Sequence, residues 1–581
     1  MQTEIWLTDL SECAPAGAIS RDRAHGTWIA VDYEVEAGSG VMLLALPDAE
    51  APPLTLRLDA DGWHEIRIGV YYGSHAGILV DRMLCLKLSA DRAYSRIGRE
   101  HFRADKDGDY PEKVTTWSDV AEVFWKCADL TGQDLVIAHP PRGEMAESET
   151  NITWVRLVPM ATEAVAEWQS EAPDPETRVL VANYDGGSIS QWGLCHEEDF
   201  LAEFESLRDT DFDIALWAAA YGPLCFYPTR VGELIPEKHT FPVGASARAF
   251  AAAGGDMLKA AIEAAHACGV RLFAQNRFEG PQLPPMHLRH AHGGKLLGDH
   301  PEWMATYADG EPTRHLSLAF DGVRDFHVRL LREWVEDYEA DGINLLFSRS
   351  YPFVYYEEPV CTAFADQHGE DMRQLLVTDV RVQQVRADMM TVFLREIRAM
   401  LDEVGEAQGR HIPSAYLVPL GNSPSNMAQG INESGLAECL FNALDVKTWV
   451  AEGLVDYLVL HLHVYKQHDG REFQAKIRQF TELARGASTR VVVDIYPRRM
   501  PPRQYRKIAA SYYEAGADGL AFWDSYTRYY RASEWAFVKR LGHVKDLQRW
   551  EGKGLDYYRV VPLKRLDGFV MGREFSLPSD G

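Results

Sequence analysis

From the N-terminus to about residue 165, apolar positions alternate with polar ones. Leu54, Leu56 and Leu58 flank Thr55 and Arg57, Ile66, Ile68 and Val70 flank Arg67 and Gly69, and Leu84, Leu86 and Leu88 share a face opposite Cys85 and Lys87. Successive side chains of a strand point to opposite faces, so a period of two marks strands with one buried face. Short segments of this kind, punctuated by Gly, Pro and Asp, predict an antiparallel β-sandwich of jelly-roll type over 1–165. The acidic, Pro-containing run ATEAVAEWQSEAPDPET at 161–177 reads as the connection out of it, with the linker proper at 166–177.

From 178 the pattern changes to apolar strands alternating with amphipathic helices. Val323, Phe326, Leu330, Trp334 and Tyr338 recur at three- and four-residue spacing, as do Met257, Leu258, Ala261, Ile262 and Ala265 ahead of a capping Gly269. The stretches ACGVRLFAQN, YEADGINLLFSR, EGLVDYLVLHLH and AGADGLAFWD each pass from a helix end into an apolar strand and then a polar or aromatic cluster. Strands are expected near 178–184, 213–219, 271–276, 343–348, 413–418, 457–462, 491–495 and 519–523. Eight such units fit a (β/α)8 barrel over 178–550, with long loops after the third, fourth and fifth strands. Residues 551–581 read as an extension packed on the barrel or the sandwich.

Composition narrows the ligand. The chain has 581 residues, and 59 Lys+Arg against 86 Asp+Glu leave a formal charge of −27. Such a charge repels phosphate, and no basic run with interleaved aromatics is present, so neither nucleic acid nor an anionic membrane surface is an expected partner. A neutral or cationic ligand is. The eight cysteines are scattered without a C-x-x-C pair, as small buried hydrophobes of a reducing compartment are. The first twenty residues carry neither a basic segment nor a continuous apolar one, which makes a cytoplasmic location the expectation. Oligomeric state stays open, homo-oligomers included.

The chemistry of such a barrel sits where the strands end. There the chain places Asp185 after strand one, Trp217 at strand two, Asn276 at three, Arg349 and then Glu357 and Glu358 after four, His461 and His463 at six, Asp494 and Tyr496 at seven, and Trp523 and Asp524 at eight. Aromatic platforms with amide, imidazole, guanidinium and carboxylate partners suit a sugar, whose rings have apolar faces and hydroxyl edges. Cleavage of a glycosidic bond needs one carboxyl group as acid and a second as nucleophile or base. Asp494 closes an apolar strand and is the first choice for nucleophile or base. Glu357, with Glu358 beside it, follows an aromatic cluster that would desolvate it and raise its pKa, and it is the first choice for the acid. Asp524 can replace either. The remaining residues, Asp185 among them, are assigned to substrate binding. Each also has a plainer role open to it: an ion pair with Arg498 for Asp494, loop sequence for Glu357 and Glu358, a helix N-cap for Asp524, a Gly-rich turn for Asp185. Neither His461 with His463 nor the histidines His287, His290, His292 and His300 show the spacing of a metal site, so no metal and no cofactor is expected.

The run GDHPEWMATYADGEPTRHLSLAFDGVRDFHVRLLREWVEDYEADGINLLF resembles the glycosyl-hydrolase-like family 10 proteins, through His300 to Trp303, Val323 to Asp325 and Asp341 to Ile343. The resemblance covers most of 178–545 and implies a (β/α)8 barrel acting on glycosides. Members often carry an acid late in the fourth strand, where this chain has Leu346 and Phe347. The role of that acid therefore passes to Glu357 or Glu358, or the chemistry differs. A glycoside hydrolase is the leading expectation. A metal-dependent hydrolase on the same barrel and a non-catalytic carbohydrate-binding protein are the alternatives.

Overall fold

The computed structural model describes residues 3–47, 49–72, 83–98, 119–237, 243–278, 289–348, 352–421, 434–462, 468–496, 500, 502–523, 532–547, 558–567, 569–570 and 573–574. Within them, Val179–Tyr184, Phe212–Tyr221, Arg271–Arg277, Gly342–Leu346, Ser414–Gly421, Tyr457–Leu462, Arg490–Asp494 and Gly519–Trp523 are hydrogen-bonded in parallel, and the first pairs with both the second and the eighth. The result is a closed eight-stranded barrel. Every expected strand is present, with ends shifted by three residues or fewer.

Closure gives each strand an inner and an outer face. Val181, Leu216, Phe273, Leu346, Leu417, Val459, Val492 and Ala521 meet in one cluster inside the barrel. Residues of the other parity, such as Leu180, Ala182, Ala215 and Leu272, pack outward on the helices. The helix Met257–Ala267 starts where Asp256 accepts hydrogen bonds from the amides of Leu258 and Lys259, and it ends at Gly269, whose φ of 76° is a left-handed conformation that glycine adopts without strain. The helix Asp321–Glu336 buries Val323, Phe326, Leu330 and Trp334. Tyr338 lies just past its last turn and donates from its hydroxyl to Asp256 (2.7 Å).

At the opposite end of the barrel from the candidate site, one device recurs. Asp341, Asp456 and Asp518 each precede an even-numbered strand and accept an amide N–H from the odd-numbered strand before it: Leu272 at 2.7 Å, Ser414 at 2.8 Å and Val491 at 2.8 Å. Imidazoles back two of them, His266 on Asp341 and His411 on Asp456, both at 2.7 Å. Burial alone would raise the Asp341 carboxyl, but the bonds from His266 and Leu272 outweigh it and hold the group below its usual range. Each latch ties two neighbouring strands at the point where the chain enters them.

The N-terminal part is a sandwich of two sheets. Leu54–Arg57, Met83–Leu88, Ser95–Gly98 and Asp134–Ala138 form the smaller; Trp28–Val35, Gly38–Ala45, Trp63–Tyr72, Asp119–Asp129 and Trp154–Pro159 belong to the larger. The apolar set of the alternating pattern, Leu54, Leu56, Ile66, Ile68, Leu84 and Leu86, fills the space between them. The larger sheet is completed from the far end of the chain, because Tyr558–Asp567 runs antiparallel between Asp119–Asp129 and Trp28–Val35. Buried Glu122 clamps this strand: its carboxylate accepts from Arg559 (2.7 and 3.0 Å), Arg156 (2.9 Å) and the Trp154 indole (2.9 Å). The segment read as a linker holds a two-turn helix, Thr162–Gln169, as its alanines and glutamates favour. Sandwich meets barrel where Arg96 pairs with Glu203 and lies 4.1 Å over the Trp192 ring.

Two tests follow from these buried groups. Arg559→Ala withdraws two of the four bonds to a buried carboxylate and is expected to cost about 1–3 kcal/mol of stability in urea unfolding; an unchanged midpoint would show that the clamp does not hold the C-terminal strand. His327 is buried among Phe278, Phe326 and Phe393, and burial pushes its imidazole down to about 3. The unfolded chain binds that proton near the ordinary value of about 6.5 and the folded chain does not, so this group removes stability as pH falls through that window. His327→Leu should therefore lose less stability than the wild type between about pH 6.5 and 4; equal slopes would contradict a neutral buried imidazole.

Candidate active site

The inner faces of strands one, three, six, seven and eight converge on a linked set of polar groups. Asp494 is the last residue of the seventh strand and lies on the inner face with Val492. One carboxylate oxygen accepts from His461 Nδ1 on the adjacent sixth strand (2.7 Å), and the other accepts from the backbone N–H of Trp523 on the eighth (3.0 Å). The His461 ring is wedged against Trp523, with centroids 4.2 Å apart, and stands edge-on to Tyr496 at 5.8 Å. All four of these residues are buried.

Trp523 also reaches the other way. Its indole N–H donates to Asp185 (2.9 Å), just beyond strand one, and the same carboxylate oxygen accepts from Arg277 on strand three (3.0 Å). The second oxygen of Asp185 accepts from the Gly187 amide at 3.3 Å, and the Asp185 carbonyl accepts from the Tyr221 hydroxyl at 2.9 Å. Between them Gly186 takes a φ of 97°, and a Cβ there would stand 2.6 Å from the Tyr221 hydroxyl, so the turn that presents Asp185 requires glycine. Asp185 and Arg277 are 13% and 12% exposed, against about 2% or less for Asp494 and His461. One tryptophan thus joins a deep carboxylate to a shallower one. Donors from three directions favour the charged form of a carboxylate, and the Arg277 guanidinium adds its charge at Asp185.

Of the residues expected at the mouth, the structure brings together Asp185, His461, Asp494, Tyr496 and Trp523. Arg349, His463 and Asp524 lie outside the described residues. Two assignments are corrected by strand parity. Trp217 shares the outer face of strand two and packs under the helices, 5.4 Å from Tyr184 and 5.3 Å from Phe204. Asn276 shares the outer face of strand three with Leu272 and Ala274, and its side chain holds the turn at Gly222 through bonds to both backbone groups (3.0 and 3.1 Å). Arg277, one residue on, is the inward one. The alternation Phe273, Gln275, Arg277 carried that signal. Gln275 itself is buried inside the barrel and accepts from Asn344 of strand four (2.6 Å).

Glu357 stands outside this linked set. It caps the helix Glu358–His368, and its oxygens accept from the amides of Tyr355 (2.8 and 3.1 Å) and Thr306 (3.2 Å). Burial pushes its carboxyl up, as expected of it, against the pull of those amides. Among the described residues, no hydrogen bond or ring contact joins Glu357 or the exposed Glu358 to Asp494, His461 or Asp185. The fourth strand ends in Leu346, inside the barrel, and Phe347, stacked on Phe278 with centroids 5.6 Å apart. Among the described residues, no group of three or more His, Cys, Asp or Glu is arranged to hold a metal ion, and no helix is long and apolar enough to cross a membrane.

A closed (β/α)8 barrel with carboxylates at the C-terminal mouth and an attached β-sandwich describes the class. The sequence profile of the glycosyl hydrolase-like 10 family matches residues 204–506, more than half of the chain, and the protein belongs to that family. No curated protein matches it. Solved structures with some likeness include a cycloisomaltooligosaccharide glucanotransferase from Paenibacillus sp. (10% identity, TM-score 0.34, 82% of this chain and 53% of that one) and a β-galactosidase from Rahnella sp. R3 (11%, 0.40, 64% and 57%). A cycloalternan-degrading enzyme from Trueperella pyogenes gives 10%, 0.37, 95% and 72%. The chain spans little more than half the length of the first two.

If the Glu357 carboxylate is a clamp, Glu357→Ala leaves the buried Tyr355 and Thr306 amides without acceptors and should cost about 2–4 kcal/mol in urea unfolding. An unaltered unfolding midpoint would return Glu357 to the list of residues free for chemistry.

Proposed function

We propose that the protein is a glycoside hydrolase acting on a neutral sugar bound beside Asp185 at the mouth of the barrel. The observation that carries this reading is the Asp185, Trp523, Asp494 chain of hydrogen bonds in a member of the glycosyl hydrolase-like 10 family. Asp494 serves as nucleophile or water-activating base. His461 Nδ1 and the Trp523 amide keep it ionised and fix its orientation, which both roles need. Asp185, already neutralised by Arg277, binds sugar hydroxyls and stabilises the positive charge that develops on the ring. The proton donor is assigned to Asp524, next in the chain after Trp523.

In this reading, Asp494→Asn lowers kcat by about 10²–10⁴ on aryl glycosides or oligosaccharides, with folding retained. Asp185→Asn raises KM as well as lowering kcat. Wild-type turnover by Asp494→Asn would reject the assignment.

One observation favours a second reading, a protein that binds carbohydrate without cleaving it: strand four offers Leu346 and Phe347 where an acid is expected. Calorimetric binding of a sugar, with no reducing ends or aglycone released from any substrate of a broad panel, would decide for it.

A further inference from the structure

The buried Glu357 clamp poses a question that the proposed chemistry leaves unanswered. A carboxylate that is taken out of water and ringed by backbone amides is a costly way to hold a loop. What it holds is a pair of tyrosines. The Thr306 amide ends the first arm of a hairpin, Met304–Thr306 with Pro312–Leu316, and Tyr307 opens its tip, closed by Tyr307 N–H to Glu311 O (2.8 Å) and Gly310 N–H to Tyr307 O (2.9 Å). The Tyr355 amide, which donates to both oxygens of the clamp, carries the second ring, and Tyr356 N–H donates back to Thr306 O (3.0 Å). The two segments belong to the connections that follow strands three and four, the first after the helix Arg289–Asp299 and ahead of Asp321–Glu336, the second just ahead of Glu358–His368.

We infer that Tyr307 and Tyr355 form an aromatic corner that binds a neutral oligosaccharide away from the bond being attacked. Their ring centroids stand 5.6 Å apart at 79°, a floor and a wall rather than a flat stack. Tyr355 is fixed from behind by the Arg386 guanidinium, 4.7 Å over its ring, which is itself buried and bonded to the Val354 carbonyl (3.0 Å). Tyr307 is 46% exposed, one of the few large aromatics of the described chain left open to solvent. Tyrosine suits a surface that must meet both water and the apolar face of a sugar ring, because the ring covers the face while the hydroxyl reaches the rim. A protein of net charge −27 repels an anionic polymer, so the occupant is an uncharged glycan of several units. The inference rests on the carbohydrate reading above and adds to it a preference for chain length.

The test compares calorimetric affinities of the full-length protein for a monosaccharide and for the hexasaccharide built from it, over malto-, cello-, xylo- and manno-series. The wild type should bind one hexasaccharide more tightly than its monosaccharide. Tyr307→Ala should weaken that hexasaccharide about tenfold and leave the monosaccharide unchanged, while Tyr307→Trp keeps the hexasaccharide affinity. Because Tyr307 is exposed, neither variant threatens the fold. Equal hexasaccharide affinity in Tyr307→Ala overturns the corner and leaves the glycosidase reading standing, as does a wild type that binds both lengths equally. A wild type that binds no sugar of either length overturns both, and retention of a protein partner that Tyr307→Ala loses would then assign the tyrosines to protein recognition.

Discussion

Closure of eight parallel strands is the constraint from which the rest of the molecule follows. Once the first strand pairs with the eighth, every second residue of each strand points into a space from which water is excluded, and every other one must satisfy a helix. A polar side chain inside is tolerable only with partners, so polar groups collect at the ends. At the entry end they are the aspartates that latch one strand to the next. At the exit end they are Asp185, Arg277, His461 and Asp494, arranged around Trp523. The tryptophan is the piece that makes the exit end a unit: its main chain is fixed by strand pairing, so its amide and its indole N–H stand at a set separation and present two carboxylates toward one opening.

The strands were easy to find because apolar runs bounded by glycine turns are a local signal. Their parity was harder. In strand three the choice between Asn276 and Arg277 is a choice of face, and nothing local to the run AQNR decides it; the inward register becomes visible only when Phe273 is known to lie inside. Strand two is similar, since its run of alanines after Trp217 gives no polar residue to mark a face. Asp494, His461 and Trp523 are legible as candidates because each lies at or next to the end of a strand whose preceding inward residues are apolar. Glu357 shows the limit of an argument from desolvation: the property sought in a general acid is equally the property of a carboxylate that clamps backbone amides. A sequence reports the hydrophobic surroundings of such a residue but not the direction in which its oxygens point.

The repeated segments behind the barrel expectation have a structural explanation as well. YEADGINLLFSR, EGLVDYLVLHLH and AGADGLAFWD share an aspartate immediately ahead of the strand, Asp341, Asp456 and Asp518, and each closes the same bond to the preceding strand. Much of the family motif belongs to this framework. Asp341 is a latch, Arg324 binds the carbonyls of Leu318 and Ala319 and the carboxylates of Asp321 and Glu396, and Trp303 packs where a side chain at Gly322 would collide with it. Motifs of this kind identify the scaffold, and they do so whether or not a member keeps the same acid at strand four. The C-terminal strand escaped a linear reading for the opposite reason. Its partners are more than 400 residues away along the chain, as in the bond from Arg559 to Glu122, and no local pattern says which sheet an edge will enter.

Two carboxylates held by directed donors, His461 and the Trp523 amide at Asp494 and the Trp523 indole, Arg277 and the Gly187 amide at Asp185, define what the mouth can do. In their ionised form such groups orient a water or attack a carbon, and they stabilise a cation. Under the proposed reading the roles therefore divide by depth. Asp494, shielded and held by an imidazole and an amide, is the group suited to bond formation. Asp185, whose charge is shared with Arg277, is suited to binding. The acid of the proposed reading then has to be a third carboxyl group, and the oxygens of Glu357 are taken up by the Tyr355 and Thr306 amides. The acidic surplus of the whole chain works in the same direction: a neutral substrate reaches such a mouth without a charge penalty, and an anionic one does not.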